Sequence, residues 1–241
     1  MNKKTVLITG GTRGIGAELI RLYRVQGYHV IATGSRRATV DRAKEKESGC
    51  EWHVCDLADR NSIVTFCESM GNRRLDVVIH NAGIQQLRNY FSPQDEQISA
   101  EQETMVNLTA PMLMTERLFQ NVQQVEGTWV FVSSGLAIAP KQSSPVYCAN
   151  KAGLRAFSKS LRAQAKFGGY KVAVCEAILP LVDTDMTRGR GKGKISANQA
   201  ARGIQIGAEK RKAEIPIGAT RVLMGLRRLF PNLAESIMLR A

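Results

Sequence analysis

The chain contains no long apolar run. Charged or small residues interrupt every hydrophobic stretch well before the roughly twenty apolar residues that a membrane-spanning helix needs. The apolar stretch after Met1-Asn2-Lys3-Lys4 ends at Gly10, which makes it too short for the core of a secretion signal. The sequence therefore predicts a protein that has no membrane span and resides in the cytoplasm.

Linkers, paired cysteines and aromatic clusters are missing as well. The 241 residues contain no Gly/Ser/Pro-rich linker and no internal repeat, which predicts one domain over residues 1–241. The five cysteines form no C-x-x-C pair and no grouping with the three histidines, so we expect free thiols and no metal site. Aromatic residues make up 6% and are not interleaved with basic ones, which disfavours nucleic-acid binding despite a formal net charge of +13.

Strand-like and helix-like patterns alternate along the chain. This alternation predicts an α/β fold, a doubly wound parallel β-sheet flanked by helices on both faces. Expected strands lie at 4–9, 28–33, 51–55, 76–80, 128–133, 171–178 and 214–217. Expected helices lie at 15–26, 59–70, 101–125, 145–167, 197–212 and 219–229. In such sheets ligands bind beyond the carboxyl ends of the strands.

The first expected strand leads into a glycine-rich turn, Thr9-Gly10-Gly11-Thr12-Arg13-Gly14-Ile15-Gly16, and an amphipathic run follows. Glycines let the backbone approach a pyrophosphate, and the start of a helix offers unpaired N–H groups to the anion. The spacing is G-x-x-x-G-x-G. Its position between a strand and a helix favours a dinucleotide site over a merely tight turn.

Tyr147 precedes Lys151 by four residues, which places the two side chains on one face of a helix. A neighbouring cation favours the phenolate and lowers the pKa of a tyrosine, which makes the pair suitable for proton transfer. The spacing alone occurs by chance on many helices, so the interpretation depends on the other motifs.

Five motifs together resemble those of the short-chain dehydrogenase/reductase family. They are Thr9-Gly10-x-x-x-Gly14-Ile15-Gly16, Asn81-Ala82-Gly83, Asn107, Ser134 and Tyr147-x-x-x-Lys151, in the family's order and at its usual separations. The similarity covers residues 1 to about 185. It implies a Rossmann-type fold and hydride transfer between a nicotinamide cofactor and a carbonyl or secondary alcohol.

The resemblance also implies catalytic roles. Tyr147 exchanges a proton with the substrate oxygen, Lys151 lowers the tyrosine pKa and binds the nicotinamide ribose, and Asn107 holds a water. Ser134 orients the carbonyl, and its spacing of thirteen residues from Tyr147 distinguishes it from Ser133.

Cofactor contacts are implied in the same way. Asp56 matches the acid that holds the adenine amino group, and Thr184 matches the residue that binds the carboxamide. Asn81 either contacts the cofactor or ties strands together, and both interpretations stay open. Leu181 replaces the family's usual glycine after proline, which adds bulk beside the nicotinamide. The full expected set is Gly10, Thr12, Arg13, Gly14, Ile15, Gly16, Ser35, Arg36, Asp56, Leu57, Asn81, Ala82, Gly83, Tyr147, Lys151, Pro180, Val182 and Thr184.

The end of the second strand favours NADP(H). It reads Thr33-Gly34-Ser35-Arg36-Arg37, with no carboxylate before Asp41 to hold a ribose 2′-hydroxyl. Arginine matches the geometry of phosphate, and Arg13 is expected to reach the same 2′-phosphate. The alternative is that Arg36 and Arg37 only form a solvated turn.

Residues 188–241 hold twelve Arg/Lys and three Glu, or +9 of the net charge. Residues 185–241 are expected to form a substrate lid and C-terminal helices. Three interpretations of the cationic loop 188–194 stay open. It forms a solvated lid, it attracts an anionic group of the substrate, or, as the least favoured interpretation, it contacts nucleic acid. The amphipathic segment 221–240, divided by Pro231, is expected to pack on its own domain or a second subunit rather than on a membrane. A homodimer or homotetramer is usual in the family.

Two function classes remain open. One is an NADP(H)-dependent oxidoreductase acting on a small carbonyl or alcohol, possibly attached to a carrier. The other is a catalytically silent NADP(H)-binding regulator or scaffold, and the complete set of four catalytic residues argues against it. An epimerase or dehydratase is disfavoured by the small C-terminal region. Substrate specificity is expected to lie in residues 85–95, 135–145 and 181–196.

Overall fold

The fold is built on a seven-stranded sheet in a computed structural model that describes residues 3–92 and 97–240. The strand order is β3-β2-β1-β4-β5-β6-β9, and every neighbouring pair is parallel. These strands are β1 (Thr5–Ile8), β2 (His29–Gly34), β3 (Glu51–Val54), β4 (Val77–His80), β5 (Thr128–Ser134), β6 (Ala173–Leu179) and β9 (Glu214–Pro216). Two further short strands, β7 (Val182–Asp183) and β8 (Ile195–Ser196), pair with each other. The predicted doubly wound parallel sheet is confirmed.

Ten α-helices are present among the described residues. They are α1 (Gly14–Val25), α2 (Arg37–Lys46), α3 (Arg60–Ser69), α4 (Ala100–Thr104), α5 (Ala110–Arg117), α6 (Phe119–Gln123), α7 (Pro145–Phe167), α8 (Ala197–Glu209), α9 (Thr220–Leu229) and α10 (Pro231–Arg240). Several starts are fixed locally. Asp59 accepts a hydrogen bond from the backbone of Asn61 at the start of α3, and Ser196 and Gln199 form a reciprocal capping pair at the start of α8.

The sheet separates two hydrophobic clusters because successive side chains of a strand point to opposite faces. On β1, Val6 and Ile8 face the cluster formed with α1 and α8, while Leu7 faces the cluster formed with α3, α5 and α7. β9 extends the same sheet, so the C-terminal part of the chain shares the core with the N-terminal part. No helix formed by the described residues has the length and the apolar character needed to cross a membrane.

The expected single helix at 101–125 is wrong. A π-helical segment, Met105–Thr109, separates α4 from α5, and α6 follows as a short separate helix. Pro111 has no N–H and therefore cannot donate the usual hydrogen bond to the carbonyl of Asn107. The N–H of Ala110 bonds instead to the carbonyl of Met105, five residues back.

The helix α2 was not expected from the sequence. It is strongly polar, and only Val40 and Ala43 are buried, so its hydrophobic pattern is too weak to identify it. The expected division of the C-terminal segment at Pro231 is confirmed by α9 and α10. Residues 93–95 of the expected specificity segment 85–95 lie outside the described residues.

Candidate active site

The candidate site lies at the carboxyl edge of the sheet. Gly10 follows β1, Asn81 follows β4, Ser134 ends β5 and Pro180 follows β6. Because these neighbouring strands are parallel, their carboxyl ends meet at one edge. The structure thereby gathers residues from four distant parts of the sequence into one cleft.

The glycines of the turn between β1 and α1 carry no side chains at the position where an anion would approach. Gly10 and Gly14 have φ angles of +68° and +56°, which side-chain-bearing residues rarely adopt. A Cβ on Gly16 would overlap with the Gly10 carbonyl oxygen and would lie 2.9 Å from Asn81 Nδ2. The turn is therefore shaped by close backbone packing directly before α1, an arrangement that fits a pyrophosphate.

Asn81 holds this turn against the end of β4. Its Nδ2 donates hydrogen bonds to the carbonyl oxygens of Thr9 at 3.0 Å and Gly10 at 3.3 Å. The Thr9 hydroxyl oxygen accepts from the backbone N–H groups of Asn81 at 3.0 Å and Ala82 at 3.1 Å. Of the two interpretations of Asn81, this geometry matches the structural tie.

Three of the residues expected at the 2′-phosphate are exposed. Ser35 and Arg36 follow β2 and begin the approach to α2, and Arg13 precedes α1. Within the described part of the chain, no carboxylate forms an ion pair with Arg36. Arg13 differs, because its Nη1 lies 3.5 Å from Asp185 Oδ2, a partner that sequence reasoning did not identify. Thr12 packs its methyl group toward Gly34, where a Cβ would lie 2.6 Å from Thr12 Cγ2.

The side chains of some residues that were expected to bind the cofactor pack into the hydrophobic core instead of lining the cleft. Leu57 and Val182 are buried in the two hydrophobic clusters, and Ile15 packs against one of them. By contrast, Asp56 is partly exposed, and its Oδ1 accepts from the backbone of Ala58 at 3.0 Å.

The segment after β6 covers the glycine turn. A Cβ on Gly14 would lie 3.3 Å from Thr184 Cγ2, so Thr184 is placed directly beside the turn. Leu181 Cδ2 packs closely over Gly191 of the loop 188–194, and its bulk beside the nicotinamide stays a prediction. The contact with Gly191 supports that loop.

Ser134 and Tyr147 are brought together at the end of β5. Ser134 is partly exposed, and its Oγ accepts from the backbone N–H of Leu136 at 3.1 Å, whereas Ser133 is buried. Burial raises the pKa of Tyr147 above its ordinary value, and the nearby Cys148 and Glu103 raise it further. A hydrogen bond with Ser134 and the charge of Arg190 oppose this rise. The phenol is consequently protonated at neutral pH.

Lys151 lies one helical turn after Tyr147 on α7. Its Nζ is 5.6 Å from the centroid of the tyrosine ring and donates a hydrogen bond to the carbonyl oxygen of Val132 at 2.9 Å. The side chain is buried, and this desolvation lowers the lysine pKa to about 8. Burial is the largest cause of the pKa shift at both residues, and the lowering of the tyrosine pKa by Lys151 stays a prediction.

Asn107 is fully buried in the π-helical segment. Its Oδ1 accepts from the N–H of Ile84 at 3.0 Å, and its Nδ2 donates to the carbonyl of Ile84 at 2.7 Å. A Cβ on Gly83 would lie 3.1 Å from Asn107 Oδ1 and 3.7 Å from Lys151 Nζ. Asn107 therefore fixes the strand end that passes beside Lys151, and both amide atoms are engaged in doing so.

Sequence reasoning missed a polar chain on the other side of Tyr147. Arg190 Nη1 donates to Gln85 Oε1 at 3.1 Å, and Gln85 Nε2 donates to Ser144 Oγ at 2.9 Å. Ser144 directly precedes α7, which carries Tyr147. The run of alternating basic residues and glycines was visible in the sequence, but no pattern in it indicated which cation turns inward.

Among residues 3–92 and 97–240, no group of three or more His, Cys, Asp or Glu side chains is placed to hold a metal ion. The five cysteines are buried free thiols.

Comparison with known proteins gives a family match and close structural neighbours. A family model described as short chain dehydrogenase matches residues 4–194. The chain is 35% identical over 191 residues to the uncharacterized oxidoreductase DltE of Bacillus subtilis, covering 78% of this chain and 75% of that protein. It is 32% identical over 191 residues to serine 3-dehydrogenase of Agrobacterium fabrum, covering 75% of each. A short chain dehydrogenase from Burkholderia cenocepacia, solved in complex with NADP, superposes with a TM-score of 0.88 at 19% identity, covering 100% of this chain and 99% of that one.

Proposed function

Because this chain belongs to the short-chain dehydrogenase family, we propose that it is an NADP(H)-dependent oxidoreductase that interconverts a carbonyl compound and a secondary alcohol. The observation that carries this proposal is the placement of Tyr147 between Ser134 and Lys151, at the sheet edge that also holds the glycine turn. A protonated phenol beside a hydroxyl and a buried ammonium provides the acid–base group that carbonyl reduction requires.

The choice of NADP(H) over NAD(H) rests on charge. Arg13, Ser35 and Arg36 are exposed around the end of β2, and no carboxylate occupies that strand end to bind a ribose 2′-hydroxyl. Guanidinium groups pair well with phosphate. The Burkholderia neighbour was solved with NADP, which agrees with this choice. When bound, the cofactor supplies or accepts the hydride.

The residues around the substrate transfer the proton, orient the carbonyl and stabilise the charge that develops. In reduction, Tyr147 gives its phenolic proton to the carbonyl oxygen as that oxygen gains negative charge. Ser134 donates a hydrogen bond to the same oxygen and holds the carbonyl in place. Lys151 stabilises the phenolate left on Tyr147, and it is cationic below its pKa of about 8. In oxidation the proton moves in the opposite direction.

Other residues support the reacting group. We assign Asn107 to fixing Ile84 beside Lys151, and by family resemblance to holding a water near that lysine. Asp56 is assigned to the adenine, and Thr184 to the nicotinamide carboxamide. Gly10, Gly14 and Gly16 are assigned to the pyrophosphate.

Assembly is part of the proposal. The helices α9 and α10 leave several apolar side chains exposed, namely Val222, Leu229, Phe230, Leu233 and Ile237. Contiguous exposed apolar surface commonly marks a protein interface. We propose a homodimer or homotetramer, and light scattering on the purified protein tests it. A monomer at micromolar concentration would contradict it.

The test of the enzymatic proposal is oxidation of NADPH by the purified protein across ketones, aldehydes, quinones and carrier-linked 3-oxoacyl compounds. Tyr147→Phe is expected to lower turnover by about 10²- to 10⁴-fold, the usual contribution of a general acid. The matched control is Tyr170→Phe, because Tyr170 lies on the surface against Phe119. Fluorescence titration with NADPH should give similar affinities for all three proteins.

Three results would reject parts of the proposal. Substantial residual turnover in Tyr147→Phe would remove Tyr147 from the chemistry. Tight NADPH binding without turnover of any compound by the unaltered protein would favour the alternative of a catalytically silent NADP(H)-binding regulator. Tighter binding of NADH than of NADPH would reject the cofactor assignment.

A further inference from the structure

The four cations of the loop 188–194 are not equivalent. Arg188 forms an ion pair with Asp185. Lys194 Nζ lies 3.4 Å from Asp183 Oδ1 and donates to the carbonyl oxygen of Thr187 at 2.6 Å. Two of the four positive charges are therefore offset by carboxylates of the preceding segment. The summed charge of the loop is therefore larger than the charge that it presents to the candidate site.

The backbone of the loop separates the remaining two cations. Gly189, Gly191 and Gly193 all have positive φ angles of +72°, +64° and +72°. With such a glycine on either side, Arg190 turns back toward the cleft and is partly buried, whereas Lys192 remains exposed. Leu181 packs over Gly191 and holds this part of the loop in place.

Arg190 contacts Gln85 directly, and through Gln85 it is linked to Ser144, so the three segments that were expected to set specificity are connected. Arg190 Nη1 donates to Gln85 Oε1 at 3.1 Å, and Gln85 in turn donates to Ser144 Oγ at 2.9 Å. Within residues 3–92 and 97–240, no carboxylate forms an ion pair with Arg190. The guanidinium is nevertheless close enough to Tyr147 for its charge to act on the phenol.

We propose that Arg190, positioned by Gln85 and Ser144, forms a carboxylate-binding subsite, so that the substrate is an oxo acid or the corresponding hydroxy acid. This inference rests on the proposed function, because it assigns the substrate class of the same site. The reacting carbonyl lies at Tyr147 and Ser134, and the carboxylate of the same small molecule lies at Arg190.

The chemistry of the three side chains fits a carboxylate better than a neutral group. A guanidinium offers several N–H donors in one plane and pairs with both oxygens of a carboxylate. The Gln85 amide is a neutral partner that an anion can displace from Arg190, and the buried Ser144 hydroxyl, which accepts from Gln85 Nε2, holds this amide in place. A partly buried cation without a carboxylate partner gains more from an anionic ligand than an exposed one does.

The test compares each acid with its own methyl ester. Rates of NADPH oxidation are measured for 2-oxo, 3-oxo and 4-oxo acids and for their methyl esters, with the unaltered protein, Arg190→Gln and Lys192→Gln. The kcat/KM ratio of acid to ester is expected to fall about 10- to 100-fold in Arg190→Gln, the range of a charge-assisted hydrogen bond. Lys192→Gln removes the same charge from the same loop and is expected to keep the ratio. Arg190→Lys should recover part of it.

A binding measurement separates this inference from the enzymatic proposal. Dissociation constants of the same oxo acids are measured by calorimetry with the protein saturated with NADP⁺, which requires no turnover. Weaker binding in Arg190→Gln than in Lys192→Gln supports the subsite even where no compound is reduced. The subsite is overturned if no oxo acid binds the unaltered protein. An equal fall of the acid-to-ester ratio in both variants also overturns it, because general loop charge would then explain the preference.

Discussion

Arg13 and Asp185 form an ion pair in which Arg13 Nη1 lies 3.5 Å from Asp185 Oδ2. Arg13 belongs to the glycine turn, and Asp185 begins the short turn that follows β7. Both side chains are largely exposed, so the pair contributes about 0–1 kcal/mol. It nevertheless places a carboxylate on the arginine that we assign to the 2′-phosphate of NADPH. A doubly charged phosphate and Asp185 therefore compete for one guanidinium.

This competition predicts how Asp185→Asn changes cofactor affinity. Removing the carboxylate frees Arg13 from this contact, and we expect the dissociation constant for NADPH to fall about 2- to 5-fold, the range of a weak ion pair. Arg13→Ala should raise the same constant. NADH lacks the 2′-phosphate, and its affinity should change little in either variant. Fluorescence titration with both nucleotides measures the effect.

The control for this prediction is Asp183→Asn. It removes the same charge two residues away, from a carboxylate that lies near Lys194 rather than Arg13. An equal gain in NADPH affinity in both variants would mean that general charge, not the Arg13 contact, controls binding. An equal gain for NADH would show that the 2′-phosphate is not involved.

Lys151 predicts a pH dependence of stability. Burial lowers its pKa from the ordinary 10.5 to about 8 in the folded protein. Between these values the unfolded chain holds a proton that the folded chain has lost, so the free energy of unfolding rises with pH over this window. Below about pH 8 both states are charged, and the folded protein bears the cost of the buried ammonium.

Lys151→Met removes that cost. We expect its free energy of unfolding at pH 7 to exceed that of the unaltered protein by about 2–3 kcal/mol, while turnover is lost. The advantage should shrink toward pH 10.5, which urea unfolding across pH 7–10.5 measures. Lys210→Met, at an exposed position of the surface, provides the comparison. A difference between Lys151→Met and the unaltered protein that does not vary with pH would contradict the assignment.

The sequence predicted the sheet and the position of the cleft because hydrophobic periodicity and glycine spacing are local patterns. The family's spacing favoured Ser134 over Ser133, and the structure buries Ser133 and leaves Ser134 partly exposed, while the catalytic role of Ser134 stays a prediction. The break in the helix around Asn107 was not predicted, although its cause is visible in the sequence: Pro111, four residues later, has no N–H to donate to the Asn107 carbonyl.

Contacts between distant segments were the part that sequence patterns could not supply. The inward direction of Arg190 depends on positive φ angles at its neighbouring glycines and on Gln85, which lies far away in the sequence. The burial that raises the pKa of Tyr147 likewise depends on the assembled fold, not on the four-residue spacing to Lys151. Charge counting identified a basic loop but not its carboxylate partners.

The close packing of Gly16 against the Gly10 carbonyl predicts that a side chain at this position lowers both stability and nucleotide binding. A Cβ at this position would collide with the carbonyl oxygen of Gly10, and a rigid backbone group cannot move aside cheaply. We expect Gly16→Ala to lower the free energy of unfolding by about 1–3 kcal/mol and to abolish detectable NADPH binding. Thermal unfolding and fluorescence titration measure the two effects.

Gly225→Ala is the matched control, because Gly225 lies within α9 and a Cβ there would meet no atom within 4 Å. Alanine is the better helix former by about 1 kcal/mol, so this variant should be slightly more stable and should bind NADPH normally. Normal NADPH binding by Gly16→Ala would mean that the turn does not need its close backbone contact.

The buried pair of Arg88 and Glu103 gives the last prediction. Arg88 Nη2 lies 3.1 Å from Glu103 Oε2, both side chains are almost completely buried, and the same nitrogen donates to the carbonyl oxygen of Ile98 at 2.6 Å. Glu103→Leu removes one carboxylate that contacts the buried guanidinium, and we expect a loss of about 3–5 kcal/mol in the free energy of unfolding. The double variant Arg88→Leu/Glu103→Leu removes both charges and should recover a large part of that loss. Urea unfolding of the two single variants and the double variant measures the coupling. Strictly additive losses would contradict it, because two charges that compensate each other in a low-dielectric interior cannot contribute independently.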